Sequence, residues 1–263
     1  MRLGLHWSVL FSLLLLSACA SAPSPNSAPL VYQKTPSALE GRLNRAGFKL
    51  GDPVFVRIFK QERTLEMWIQ GANGRYSLFQ RYPICTFSGN LGPKQREGDE
   101  QSPEGFYAVG LSQLNPNSRY HRAFNLGYPN AYDRAYGRTG SALMVHGDCV
   151  SIGCYAMTDR QISEIYTLVE AALRNGQPFF RVHAMPFRMT EHNLAAHRGS
   201  QWYDFWANLK QGYDYFERYR LPPDVQVAGL EYTFQHSNEL NRTVAMQQRQ
   251  DDIKLRLGGG GGG

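Results

Sequence analysis

The sequence predicts a mainly β fold with α elements and a small α+β extension at the C-terminal end. Short runs rich in β-branched and aromatic residues fill the first half, turn signals separate them, and helical apolar spacing is clearest after residue 158. Of 263 residues, 42% are hydrophobic and 19% charged, a balance that suits a folded domain and excludes a disordered chain. With the two ends set aside, roughly 200 residues remain, enough for one sizeable core without disulfides as a folding requirement.

The chain begins MRLGLHWSVLFSLLLLSACA, with Arg2 in a short basic start and an apolar run from Val9 to Leu16. A bilayer span takes about 20 apolar residues, so the shorter run reads as a secretory signal over 1–19. Its end, Leu16-Ser17-Ala18-Cys19, resembles a bacterial lipoprotein signal and marks Cys19 for lipidation; the alternative is a plain signal cleaved near Ala18 or Ala20. Either way the protein is expected on the periplasmic side of the cell envelope. Ala20 after the cysteine points to a lipid anchor in the outer membrane. The Ser-, Pro- and Ala-rich stretch that follows predicts a tether over 20–51.

From Asp52 the strand signals begin. PVFVRIFK, TLEMWIQ and YSLFQRYPI read as an antiparallel meander, with Asn73-Gly74 as the turn between the second and third. FYAVGL extends that pattern, and ALMVHG reads as a buried strand delivering His146 at its end. Thr158 and Gln161 form a capping-box pattern, Ile162, Ile165, Tyr166, Val169, Ala172 and Leu173 recur at helical spacing, and Asn175-Gly176 stops the helix. Cys154 therefore falls on a turn between a strand and a helix. Trp202, Phe205, Trp206 and Leu209 predict a further helix, followed by alternation at Val225, Val227, Tyr232 and Phe234. The expected organisation is a catalytic domain over 52–188, an extension over 189–240 and a disordered tail over 241–263. No phosphate-cradling glycine loop is present, and no cofactor is expected.

The chemistry concentrates in VHGDCVSIGCYAM, residues 145–157. His146, Asp148, Cys149 and Cys154 are ligand types, but a zinc site would want a second pair of ligands at knuckle spacing, so no metal is expected. A dithiol redox pair favours C-x-x-C, whereas four residues separate Cys149 from Cys154. Cys154 as a small buried hydrophobe and Cys154 as a nucleophile stay open. The nucleophile reading uses more of the residues: a thiol reacts as thiolate, His146 is a nearby base, and Gly153 lets the backbone approach closely so that main-chain N–H groups can face an oxyanion.

These residues carry a resemblance. His146-Gly147 followed by Ser151-Ile152-Gly153-Cys154 resembles the signature of the L,D-transpeptidases, the YkuD-like family, in which H-G precedes S-x-G-C and an arginine stands two places later. Ser102-Pro103-Glu104-Gly105-Phe106-Tyr107 is similar to the family's T-P-x-G-x-[FY] strand. The likeness covers about 52–188 and implies an L,D-transpeptidase-like β-rich catalytic domain. It further implies Cys154 as the nucleophile acylated by peptidoglycan stem peptides, His146 as general base, Gly147 as the carbonyl that orients it, and Gly153 and Ser151 as turn and oxyanion support. Two departures stand out: the spacer between His146 and Cys154 is short, and Ala156 occupies the arginine position.

With LGPKQREGD and LGYPNAYDRA, the chain is similar to a compact branch of that family that detaches outer-membrane lipoprotein from peptidoglycan. The resemblance implies hydrolysis of the bond between diaminopimelate and the lipoprotein's C-terminal lysine. The alternatives are synthetic transfer, forming 3,3-crosslinks or attaching lipoprotein, and a non-catalytic cell-wall-binding lipoprotein. A net charge of +6 suits carboxylate-bearing stem peptides. Arg119, Tyr120, Tyr132 and Arg134 are candidate substrate contacts, with solvated surface roles as the plainer alternative, and nucleic acid is not expected. If Cys154 is kept for chemistry and Cys19 for lipid, Cys85 and Cys149 remain as a pair in an oxidising compartment.

Overall fold

A computed structural model describes residues 37–236. In chain order these form α1 (Ser37–Arg45), β1 (Val54–Phe59), β2 (Thr64–Gln70), β3 (Tyr76–Pro83), β4 (Thr86–Phe87), β5 (Gly105–Val109), β6 (Leu114–Ser118), β7 (His121–Asn125) and α2 (Ala131–Ala135). After them come β8 (Met144–His146), β9 (Tyr155–Ala156), α3 (Asp159–Arg174), β10 (Phe180–Met185), α4 (Glu191–Ala196), α5 (Tyr203–Tyr219), β11 (Asp224–Ala228) and β12 (Glu231–Gln235). The first sheet has the order β3-β2-β1-β10-β5, the second β4-β9-β8-β7-β6, and β11-β12 form a separate hairpin.

Strand β1 shows why the first sheet lies at the centre. All six of its residues are buried, as expected when both faces of a strand are covered. Val54, Val56 and Ile58 join a core with Ile162, Ile165 and Val169 of α3 and with Phe124 and Val145 of the second sheet. Phe55 packs with Phe216 of α5, and Phe59 joins the cluster of Trp206, Leu209 and Tyr213. The C-terminal extension is thus the lid on the sheet's second face. Two buried ion networks lie under it. Arg57 bonds both Glu66 on β2 and Glu217 on α5, and Glu104 accepts from Trp206 Nε1 on α5 while pairing with Lys60.

The meander β1-β2-β3 is antiparallel with its turn at Asn73-Gly74, where Gly74 has φ +75°. FYAVGL does not extend it: β5 pairs with β10, which itself runs parallel beside β1. The chain leaves β3 for the second sheet as β4, and the free side of β1 is taken by a strand from much later in the sequence. Local alternation reports a strand and which faces it buries, but not its neighbour.

A second correction concerns the expected tether. Within 20–51 lies α1, whose Leu39 and Leu43 are buried, with Phe48 just after it, in the same core as α3. The Ser-Pro-Ala composition ends at Pro36, and Leu39 and Leu43 stand four residues apart on one helix face. Averaging composition across the segment hides that face. The signal segment, Cys19 and the 241–263 tail lie outside the described residues.

Cys85 and Cys149 are joined by a disulfide across 64 residues of sequence. It ties the strand turn between β3 and β4 to the loop following His146. Closing a loop of that length restricts the unfolded chain, so Cys85→Ser is expected to cost about 2–4 kcal/mol. Thermal unfolding with and without reductant checks this: the parent should lose stability on reduction, and the variant should not respond.

Candidate active site

The site is made where two parallel neighbours, β8 and β9, are joined without a helix between them. Val145 pairs with Tyr155 and His146 with Ala156, so the chain must leave the end of β8 and return to the start of β9 within residues 147–154. So short a return is unusual for parallel strands, which are ordinarily linked by a dozen or more residues. The backbone shows the consequence: Asp148 and Cys149 adopt φ +68° and +48°, and Gly153 adopts φ +135°, a value open chiefly to glycine. The disulfide at Cys149 anchors the middle of this loop.

His146 is only 3% exposed. Its Nδ1 lies 2.6 Å from the Gly147 carbonyl oxygen, which can only accept, so Nδ1 carries the proton and Nε2 is left as the acceptor. The Tyr120 ring lies against the imidazole, with centroids 4.8 Å apart, and the Gly147 N–H donates to the Tyr120 carbonyl at 3.0 Å. A side chain at Gly147 would not fit, because its Cβ would stand 2.5 Å from Asp159 Oδ1 and 3.0 Å from the Tyr120 oxygen. That Asp159 oxygen accepts the Asp148 N–H at 2.9 Å, so the start of α3 helps fix the peptide that orients the histidine.

Cys154 is the one free cysteine among the described residues and is partly buried. Its Sγ accepts the Met144 N–H at 3.4 Å and faces the Ala142 carbonyl at 3.7 Å. Its own carbonyl accepts from Ser151 Oγ at 2.7 Å and Ser102 Oγ at 3.1 Å, and Ser151 Oγ also accepts the Gly153 N–H at 3.2 Å. Tyr155 OH donates to the Pro103 carbonyl at 2.6 Å. Ser102 and Pro103, from one sequence motif, thus hold the turn formed by the other.

Burial pushes the Cys154 thiol up, against the Met144 N–H and the positive charge of Lys94. Burial likewise pushes His146 down, against the bond to Gly147 and the charge of Asp148. Both shifts favour the neutral forms, the thiol of Cys154 and the imidazole of His146, whose bond to Gly147 leaves Nε2 unprotonated. The N-terminus of α3 is closed by its own Thr158–Gln161 box, and the groups acting on the sulfur are Met144 and Lys94. Chemically, the arrangement can attack an electrophilic carbonyl with sulfur while the imidazole takes the thiol proton.

Of the four candidate substrate contacts, the structure brings two to the site. Tyr120 lies on His146, and the exposed Arg119 places its guanidinium over the Tyr120 ring. Tyr132 does not reach it: it is buried and stacked on Tyr232 with centroids 4.3 Å apart, inside the packing of the extension. Arg134 turns back to the Pro129 carbonyl at the start of α2. Alternating aromatic and basic residues look alike in sequence whether they face a groove or cap a core. Lys94, Asp159 and the Ala142 carbonyl were not legible as site residues: Lys94 arrives from a distant stretch, Ala142 acts through its backbone, and Asp159 reads as the start of a helix; Ser102 was legible only as part of the SPEGFY motif.

Val150 and Ile152, the latter 82% exposed, leave the return loop open to solvent. A cavity of about 450 Å³ lies elsewhere, under the β11-β12 hairpin, and is bordered by Phe106, Arg181 and His183. No group of three or more potential metal ligands occurs among the described residues.

Residues 53–183 match the family model of the YkuD L,D-transpeptidase catalytic domain. The Escherichia coli (strain K12) protein named "Putative L,D-transpeptidase YafK" is 52% identical over 206 residues, covering 78% of this chain and 82% of the relative. Among solved structures, the K307A mutant of the helical cell shape determining protein Pgp2 from Campylobacter jejuni is 20% identical, covering 66% of this chain and 61% of its own, with a TM-score of 0.43. L,D-transpeptidase 1 from Mycobacterium tuberculosis is 13% identical over 52% of this chain and 64% of its own, with a TM-score of 0.29.

Proposed function

Because the chain belongs to the L,D-transpeptidase family, we propose that it is a cysteine-nucleophile enzyme that hydrolyses the bond between peptidoglycan diaminopimelate and the C-terminal lysine of an outer-membrane lipoprotein. The observation that carries this reading is the free Cys154 immediately before β9, the strand that pairs with β8 at His146, whose Nδ1 is held by the Gly147 carbonyl. In this account Cys154 Sγ attacks the diaminopimelate carbonyl as its proton passes to His146 Nε2. The tetrahedral oxyanion forms against main-chain N–H groups of the turn around Gly153. Collapse then expels the lysine side-chain amine, which takes the proton back from His146 and leaves an acyl-enzyme. Water, deprotonated by the same imidazole, frees the stem-peptide carboxylate and restores the thiol.

Transfer to an amine shares every step up to the acyl-enzyme, so the two outcomes divide at the second acceptor. The exposed Val150 and Ile152 leave water free access to the loop, which favours hydrolysis. The similarity of the chain to the lipoprotein-detaching branch favours it too. In this reading the protein works on the periplasmic side of the envelope, anchored to the outer membrane through lipid on Cys19.

The test is incubation of the purified protein with peptidoglycan carrying covalently attached lipoprotein, followed by mass analysis of both products. Hydrolysis yields lipoprotein with an intact C-terminal lysine and a stem peptide ending in a free diaminopimelate carboxylate. New 3,3-crosslinks would assign the protein to transfer instead. No change in either product would leave a non-catalytic cell-wall-binding role.

A further inference from the structure

We propose that Lys94 is a positioning residue of this site, a cation held next to the backbone that borders Cys154 so that its charge supports the thiolate, with Asp99 setting how much of that charge is felt. The proposal rests on Cys154 being the nucleophile. It answers a specific gap, because the arginine position of the sequence pattern is occupied by Ala156, which is wholly buried in β9 between His146 and Thr86.

Lys94 is not a solvated surface lysine. Its side chain is 4% exposed and its Nζ lies 2.5 Å from Asp99 Oδ1. A lysine loses much hydration on burial and is rarely found there without a reason. The loop that carries it is fixed at several points. The Asp99 carboxylate also accepts the N–H groups of Gln95, Arg96 and Gln101 at 2.7, 3.0 and 3.0 Å. Two residues before Lys94, Gly92 donates its N–H to Glu104 and offers its carbonyl to Lys60, and those two side chains form an ion pair with no solvent exposure.

The link to the nucleophile runs through residues 139–144. Thr139 donates its N–H to the Gln95 carbonyl at 3.1 Å. At Gly140, with φ +147°, a Cβ would stand 2.7 Å from Lys94 Cε, so the lysine stem lies directly on that glycine. Two residues later Ala142 presents its carbonyl to Cys154 Sγ, and Met144 donates its N–H to the same sulfur. Lys94 and the thiol thus border the same short length of backbone, and the lysine's charge favours the ionised sulfur. The other charged or titratable groups around the pair are His146 on β8, Asp148 on the return loop, Glu97 and Asp99 on the Lys94 loop, Glu97 meeting Ser141 at 3.5 Å, and Tyr128, whose OH donates to the Lys94 carbonyl at 3.2 Å and whose ring borders Gly140.

The experiment measures the rate of Cys154 alkylation by iodoacetamide against pH in the full chain, non-reduced, followed by mass on the peptide that carries Cys154. Lys94→Gln should move the midpoint of reactivity upward by about one pH unit, and Lys94→Arg should keep it near the parent's. Asp99→Asn should move it downward, because it releases the charge that Asp99 now neutralises. If the pair merely clamps the loop, Lys94→Gln and Asp99→Asn disturb the same structure and shift the midpoint in the same direction, which would overturn the proposal. An unchanged midpoint in Lys94→Gln would overturn it as well. Should Lys94→Gln not fold, Asp99→Asn decides alone, with a downward shift supporting the assignment and any other result rejecting it. Alkylation reports thiol ionisation whether or not peptidoglycan is cleaved. Failure of the nucleophile reading would show separately, as lipoprotein release retained by Cys154→Ala.

Discussion

Cys154→Ala is expected to reduce release of lipoprotein from peptidoglycan by about 10⁴-fold or more while leaving the protein folded. Both halves follow from the surroundings of the sulfur. In the proposed mechanism it forms the covalent bond on which each later step depends, and no other free thiol occurs among the described residues. As a packing element it contributes little: its contacts at Sγ are a 3.4 Å bond from the Met144 N–H and a 3.7 Å approach to the Ala142 carbonyl. The turn is held by bonds to the Cys154 carbonyl from Ser151 and Ser102, which alanine keeps. A loss of stability of about 1 kcal/mol is therefore the expected upper range, from the Met144 N–H losing its acceptor. Paired release assays and thermal unfolding check the two halves. A merely structural cysteine would give the reverse, a destabilised protein that still releases lipoprotein.

The largest stability effect should come from Glu66, far from the sulfur. Its side chain is fully buried, and Oε2 accepts from Arg57 Nη2 at 2.8 Å, Arg57 Nε at 3.1 Å and Trp68 Nε1 at 3.0 Å. Oε1 accepts from Arg188 at 2.8 Å and Arg81 at 3.1 Å. Removing the carboxylate with Glu66→Ala leaves the buried Arg57 guanidinium with Glu217 as its remaining carboxylate partner. Breaking a buried ion pair from one side costs about 3–5 kcal/mol. Urea unfolding at neutral pH should show that loss without a change in the slope of the transition.

Acid should reveal the same group. Burial pushes the Glu66 carboxyl up, but the Arg57 charge and the bonds from Arg188 and Arg57 outweigh it and hold the group at about 2, below its ordinary 4.5. The folded value is the depressed one, so the stabilisation is present in full above pH 4.5 and is lost as pH falls from there towards 2. The parent should thus lose stability across that window by about 3 kcal/mol more than Glu66→Gln does. Equal slopes for the two proteins would show that the network does not hold the carboxylate in its ionised form.

How far the molecule was legible in its sequence varied with the range of the interactions involved. The helix α3 was readable because its cap, its apolar stripe and its stop lie within 20 residues, and Thr158 does accept the Gln161 N–H. The hairpin turn at Asn73-Gly74 and the strand ending at His146 were readable for the same reason. The place of β5 was not, since its partner β10 begins 75 residues after β5 begins, at Phe180 against Gly105. Helix α1 was hidden by the Ser- and Pro-rich residues preceding it, although Leu39 and Leu43 carried the signal.

At the site, His146, Gly147, Ser151, Gly153 and Cys154 stand within nine residues and could be read together. Lys94 could not be, because a lysine in a loop of glycines and charged residues has an unremarkable local pattern, and Ser102, though part of the SPEGFY stretch, gave no local sign that its side chain meets the Cys154 carbonyl. Only folding brings Ser102 to the Cys154 carbonyl and lays Lys94 on Gly140. The aromatic and basic residues of LGYPNAYDRA failed in the opposite sense. Tyr132 has the composition of a binding residue and the surroundings of a core residue, stacked on a tyrosine from the C-terminal hairpin.

If Cys154 carries an acyl group during turnover, intact-protein mass spectrometry of a rapidly quenched reaction should catch it. With peptidoglycan fragments that bear the lysine-linked lipoprotein peptide, a transient mass increase equal to the stem-peptide acyl group is expected, mapped by digestion to the peptide containing Cys154 and absent from Cys154→Ala. Release of lipoprotein peptide by Cys154→Ala at the parent's rate, or an adduct mapped to any other residue, would contradict acylation of Cys154.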